Sequence, residues 1–93
     1  MLIGRHARAT RAARADLYGA NLYGADLSGA DLGLCTLGRA KMRGAVMNGV
    51  NLEGSKFKSA DFRDSQLRGA RLARTMWLGA DLVRADLRGA CLR

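Results

Sequence analysis

Residues 15–32 read ADLYGANLYGADLSGADL, with a leucine at every fifth position: Leu17, Leu22, Leu27 and Leu32. The step of five continues without a gap through Leu37, Met42, Met47, Leu52, Phe57, Phe62, Leu67, Leu72, Trp77, Leu82 and Leu87 to Leu92. All sixteen are large and apolar, and they are called centres below. Two residues before each centre the chain is small. Ala fills eleven of the sixteen places, and Cys35, Val50, Ser55, Ser65 and Thr75 fill the rest. Two residues after the centre, Gly fills nine of fifteen places. The unit is A-(D/N)-L-x-G.

Neither common secondary structure accommodates this period. On an α-helix five residues advance about 140° past a full turn, so the leucines would spiral round every face. On a flat strand an odd step sends alternate leucines to opposite sides. The direction must therefore be reset in every repeat. A turn does this, and the recurring glycine supplies the backbone freedom a turn often requires. A chain that bends by about 90° at each such turn closes a square coil every four units, with its centres pointing inward.

The spacing closely resembles the pentapeptide-repeat family. The motif A-(D/N)-L-x-x stands at Ala20-Asn21-Leu22, Ala25-Asp26-Leu27, Ala30-Asp31-Leu32, Ala60-Asp61-Phe62, Ala80-Asp81-Leu82 and Ala85-Asp86-Leu87, and the match spans residues 15–93. The resemblance implies an all-β solenoid, a right-handed quadrilateral β-helix with four repeats per coil. Sixteen repeats then make about four coils, a rod roughly 19 Å long at the usual strand spacing. Adding twenty gives the stacks. The first side carries Leu17, Leu37, Phe57 and Trp77; the second Leu22, Met42, Phe62 and Leu82; the third Leu27, Met47, Leu67 and Leu87; the fourth Leu32, Leu52, Leu72 and Leu92. Trp77 is the least regular centre. It reads as a core residue filling a gap or as a partly exposed anchor at an interface.

Both ends of a solenoid need covering. Residues 1–14 break the repeat and are rich in Ala and Arg, so they are expected to form a short helical or irregular cap on the first coil. Within them residues 5–13 are read as a helix or turn, with Leu2 and Ile3 as apolar contacts. The same segment is a basic arm, with Arg5, Arg8, Arg11 and Arg14 and no acid among them, suited to nucleic acid or an acidic protein surface. At the other end the last centre is followed only by Arg93, so the coil from Trp77 to Leu92 is expected to be open. Met76, Leu78 and Val83 add outward apolar surface there. Arg84, Arg88 and Arg93 dilute the patch and act against aggregation. Another chain covering Met76, Trp77, Leu78, Val83 and Leu92, as a homodimer partner or a larger assembly, is the leading expectation; a frayed, uncovered end is the other.

The chain has 93 residues and a mass of 10.0 kDa, with 16 Lys+Arg against 8 Asp+Glu, a net charge of +8. It is 48% apolar, too hydrophobic for a typical disordered chain. It has no apolar stretch near the ~20 residues of a membrane span, so no membrane association is expected. The start, MLIGRHARATRAARAD, has no long apolar run and is no secretory signal. Two cysteines make no disulfide framework and favour a reducing compartment, in the cytoplasm or within an assembled particle. Arg43 with Arg63, and Arg68 with Arg88, stand one coil apart and form short basic ladders. Ordinary solvated surface explains such ladders better than a ligand site does, because Asp61, Asp64, Asp81 and Asp86 lie near. The acids just before the centres are expected to accept hydrogen bonds from nearby backbone N–H groups.

No catalytic constellation is present. His6 is the sole histidine, so no relay with a second base can be built, and neither Cys35 nor Cys91 belongs to a zinc-like cluster. No enzyme activity, cofactor or metal is expected. The leading function is a protein-interaction or scaffold module that docks through the open C-terminal coil and the basic arm. Three alternatives stand beside it. Some members of the family resemble B-DNA and bind DNA gyrase, which makes a topoisomerase modulator one alternative. Mimicry, however, needs a dense negative surface, and this chain is basic. The second is a structural part of a large assembly such as a virion. The third is a basic nucleic-acid-binding module, against which Tyr18 and Tyr23 lie away from the arginine ladders.

Overall fold

Pairing at an offset of twenty organises the whole chain. In the computed structural model, which describes residues 10–93, parallel bridges join each such pair from Arg11↔Asp31 through Lys41↔Asp61 to Arg71↔Cys91. Every bridge is isolated, because only three residues run along a side before two turn residues follow. The ladder of one side shows the pattern. Leu17 N–H donates to Thr36 O (2.7 Å), Gly19 N–H to Gly38 O (2.8 Å) and Thr36 N–H to Ala15 O (3.1 Å). With principal extents of 27 × 24 × 22 Å the molecule is about as broad as it is tall, so its ends form a large share of its surface.

The turn accounts for the glycines. A centre carbonyl accepts from the N–H three residues on, as Leu27 O does from Ala30 (3.0 Å). The residue two after the centre has positive φ at every turn from Arg14 to Gly89. Nine are Gly, and the others are Arg14, Leu34, Arg39, Ser59, Asp64, Arg74 and Arg84, with φ between 55° and 65°. A left-handed conformation costs an L-residue about 1–2 kcal/mol, which favours Gly without excluding the others.

The carboxylates and amides before the centres complete the turns. Asp16 Oδ1 accepts from Tyr18 N–H (3.1 Å). The same bond recurs at Asn21, Asp26, Asp31, Asn51, Asp61, Asp81 and Asp86, as the sequence predicts. Gln66 holds this position with too long a side chain. There the Arg68 N–H donates to Asn48 Oδ1 of the preceding coil (3.0 Å).

Centres from Leu17 to Leu72 are buried, together with the small residues before them from Ala25 to Ala70. Phe57 and Phe62 meet edge to face at 5.2 Å between ring centroids, and Trp77 tilts against them at 4.6 and 5.5 Å. One turn is spliced by a side chain. The Cys35 N–H donates to Ser55 Oγ (3.0 Å), which donates in turn to Leu32 O (2.7 Å). Ser55 thus replaces the direct backbone bond that the other turns make, except at Leu72, where the Thr75 hydroxyl donates to the carbonyl (2.8 Å). Ser65, equally buried at the same repeat position, has no partner for its hydroxyl.

The N-terminal boundary differs from the expected one. Residues 10–13 are not helical. Ala12 occupies a buried centre, its N–H bonds Asp31 O and the Arg14 N–H bonds Gly33 O, each at 2.8 Å. A short Ala/Arg helix is marginal in water, whereas the ladder offers these amides partners directly. The remainder of the expected cap, with Leu2, Ile3, Arg5 and Arg8, lies outside the described residues.

Two pairs of substitutions test this account by urea unfolding. Ser59→Gly relieves a left-handed residue and raises stability by about 0.5 kcal/mol, whereas Gly49→Ala, whose new Cβ meets nothing within 4 Å, lowers it by about 1 kcal/mol through backbone strain alone. Ser65→Ala removes an unsatisfied hydroxyl and is neutral or stabilising. Ser55→Ala strands two buried backbone groups and costs about 1–3 kcal/mol. Equal effects within either pair would contradict the mechanism.

Candidate interaction surfaces

Burial of the centres fails at the C-terminal coil. Leu72 is buried, Trp77, Leu82 and Leu87 are only half-buried, and Leu92 is 63% exposed. Outward from them stand Met76 (61% exposed), Leu78 (75%) and Val83 (51%). The five apolar residues singled out in the sequence therefore gather at one end. Trp77 is both core and rim: it packs on Phe57 and Phe62, while its Nε1–H donates to Thr75 Oγ1 (2.5 Å). A notch of about 250 Å³ beside it is lined by Leu72, Arg74, Thr75, Trp77 and Leu92.

The same end carries unmet backbone groups, which the sequence reading did not identify residue by residue. Among the described residues the N–H groups of Trp77, Gly79, Leu82, Arg84, Leu87 and Gly89 have no backbone acceptor, and the carbonyls of Thr75, Ala80, Ala85 and Ala90 have no backbone donor. In earlier coils these are the groups that bond to the next coil. They form a sheet edge bent into a square, with apolar centres inside it.

The arginine ladders are ion-paired. Arg43 Nε lies 3.3 Å from Asp64, which also holds Arg84 at 2.5 Å. Arg63 holds Asp61 at 2.7 Å and reaches Asp81 at 3.9 Å. Arg88 and Arg68 share Asp86, at 2.7 and 3.6 Å. Arg71 and Arg74 both reach Glu53, at 2.7 and 3.7 Å. The Arg63 side-chain bonds hold the Asp61 carboxyl down to about 2, and those of Arg88 do the same for Asp86. Arg84 bonding likewise lowers Asp64. These pairs are largely solvated, so each adds little net stability. Their main effect is to neutralise the ladders. Arg11 and Arg14 lie at the opposite end from the open coil, in the first described turn, exposed and without an ion pair among the described residues. Arg5 and Arg8 of the arm are outside the described residues.

Five further exposed cations have no ion pair among the described residues: Arg39, Lys41, Lys56, Lys58 and, at the C-terminal end, Arg93. Only the twenty-residue register separates them from the paired set, since their neighbours in adjacent coils are mostly uncharged. Cys35 and Cys91 are free thiols. Burial raises the pKa of Cys35, whose Sγ lies 3.1 Å from Ala12 O. Cys91 is exposed. Among the described residues no three His, Cys, Asp or Glu side chains converge as a metal cluster.

The chain matches the family model for pentapeptide repeats in eight copies, over residues 6–39, 35–74 and 65–93. Among solved structures it is similar to a pentapeptide repeat protein from Nostoc PCC 7120, with 38% identity and a TM-score of 0.82 over 86% of this chain and 65% of that one. It is also similar to a pentapeptide repeat protein of the Arabidopsis thaliana thylakoid lumen, with 34% identity and a TM-score of 0.70 over 72% of this chain and 46% of that one. A trypsin-treated form of QnrB1, a plasmid-mediated fluoroquinolone resistance protein, shares the fold at 18% identity and a TM-score of 0.58, over 98% of this chain and 53% of that one. No curated protein matches the chain. The chain thus spans 46% to 65% of the length of these solved relatives. The fold they share is a right-handed quadrilateral β-helix.

The carboxylate pairs set a pH dependence. A carboxylate whose folded pKa is about 2 against an ordinary 3.8 stabilises the fold above that ordinary value and loses the contribution as pH falls toward 2. The urea midpoint therefore declines over that window. Asp61→Asn and Asp86→Asn each make the decline shallower, and an unchanged profile in both would exclude these pairs as its source.

Proposed function

This chain belongs to the pentapeptide-repeat family, and we propose that it works as a non-catalytic protein-interaction module. In this reading it is a short β-helical rod of about four coils that docks through its C-terminal coil. One observation carries the proposal: unmet backbone donors and acceptors, half-buried centres and outward apolar side chains coincide on a single end surface. A partner that supplies a complementary edge satisfies the backbone groups and covers the apolar ones together. Fully burying Met76, Leu78, Val83 and Leu92 is worth about 1.5–3 kcal/mol each. The sum is of the same order as the 4–15 kcal/mol lost in association, so the edge bonds and the notch beside Trp77 decide the affinity. The partner is a protein surface with a free sheet edge, and a second copy of this chain offers one.

A topoisomerase-directed reading has less support. The likeness to QnrB1 is one of fold, and a net charge of +8 does not match the surface of DNA.

Sedimentation of the purified chain, alone and after incubation with native lysate, tests the proposal. The chain is expected to sediment above its monomer mass or to retain a stoichiometric protein. Met76→Asp with Leu78→Asp is expected to abolish that assembly while leaving circular dichroism unchanged. Assembly that survives the double substitution would overturn the proposal.

A further inference from the structure

The charge of this protein is sorted by side. On the second, third and fourth sides, arginines face Asp61, Asp64, Asp81, Asp86 and Glu53 in the same or adjacent coils. The first side differs. Residues 15–19, 35–39, 55–59 and 75–79 contain Asp16 as their single acid, against Arg39, Lys56 and Lys58. Asp16 lies in the first of these segments, its Oδ1 held by the Tyr18 N–H. Lys41, two residues past Arg39, extends the cluster round the corner onto the second side. In the ladder its neighbours are Asn21 and Asp61, and Asp61 is already engaged by Arg63. The four cations thus occupy two successive coils with no ion pair among the described residues, and at strand spacing those coils are about 5 Å apart.

Two aromatic rings flank this cluster in the coil before it. Tyr18 is 59% exposed and Tyr23 60%, in the turns at the two ends of the second side. Tyr18 leans along the first side toward the cations. A Cβ at Gly38 would stand 3.0 Å from both Cδ2 and Cε2 of its ring, so the missing side chain at Gly38 is what lets the ring lie there. Gly38 also separates Tyr18 from Lys58 in the ladder of residues just after the centres.

We propose that this corner binds single-stranded nucleic acid, with Arg39, Lys41, Lys56 and Lys58 on the phosphates and Tyr18 and Tyr23 as stacking platforms for the bases. Unpaired cations beside exposed aromatics are the combination that holds single strands without sequence preference. The surface is a flat side meeting a tight turn, and among the described residues no helix or ribbon projects from it to enter a duplex groove. The exposed apolar residues of the first side, Met76 and Leu78, stand at its far end from the tyrosines, so the aromatic and apolar groups do not form one continuous membrane-facing patch. This surface adjoins the C-terminal coil, where Lys56 pairs with Met76, but its cations and tyrosines are not the groups that carry the docking function, and the proposal does not depend on it.

The test is fluorescence anisotropy of labelled oligo(dT) and oligo(U) with the full chain. Binding is expected, with a log–log salt slope of about −3 for four phosphate contacts on a single strand. Lys56→Glu with Lys58→Glu is expected to weaken binding more than tenfold. Tyr18→Ala with Tyr23→Ala is expected to weaken it by roughly fivefold or more while leaving the salt slope in place. Arg88→Gln, in a paired ladder on the third side, leaves affinity unchanged. No binding, a slope near zero, or equal affinity for a duplex would overturn the proposal. So would binding that survives the lysine reversals but disappears with Arg5→Gln and Arg8→Gln. Binding to phosphatidylserine vesicles or a polyglutamate peptide, without binding to either oligonucleotide, would also overturn it. Sedimentation of the tyrosine variant, altered at the far end from Met76 and Leu78, is expected to match the parent chain, which separates this outcome from that of the docking proposal.

Discussion

The hydrogen bond between a peptide and its counterpart twenty residues on is the interaction on which the rest depends. It is short along the ladder, 2.7 Å from Leu17 to Thr36 and 2.7 Å from Leu72 to Cys91. It forms only if the chain returns to the same direction after four turns. That return requires a left-handed residue at every turn, and each one observed from Arg14 to Gly89 adopts it. Local strain is thereby exchanged for complete use of the backbone donors and acceptors inside the stack. Seven turns carry the strain without glycine, which shows that the ladder outweighs a cost of about 1–2 kcal/mol at a single residue.

A framework built this way leaves three kinds of position for function. Centres and their small neighbours are committed to the core. The residue before the centre is committed wherever it is Asp or Asn, because its side chain bonds the turn. What remains is the residue after the centre, the turn residue when it is not glycine, and the preceding residue when it is not Asp or Asn. Arg39, Lys41, Lys56, Lys58, Tyr18 and Tyr23 all occupy such positions. So do Met76, Leu78 and Val83. The ends add a second resource, since a molecule no taller than it is broad exposes much of its edge.

The family resemblance was legible because a period of five suits neither a helix nor a flat strand, and the burial of Leu17 through Leu72 follows from it. The Asp and Asn bonds at the turns were legible as well, since a short carboxylate or amide two residues before an N–H has few other partners. Several features were less legible. Ala12 sits in a centre despite its size, so the coil reaches back past residue 14. The acids beside the arginine ladders were legible but not the pairing itself, in which Asp64 holds Arg43 and Arg84, and Asp86 holds Arg68 and Arg88.

The sequence alone determined the coil, its register and its core, because those depend on local turn chemistry repeated at fixed spacing. Tertiary structure decided which charges remain free. Ion pairing depends on distances between side chains twenty or so residues apart, set by rotamers as well as register. The splice of Ser55 into the Leu32–Cys35 turn is of the same kind. A serine at position 65 fits the repeat equally well, and only the packing around each hydroxyl distinguishes a bonded group from an orphaned one.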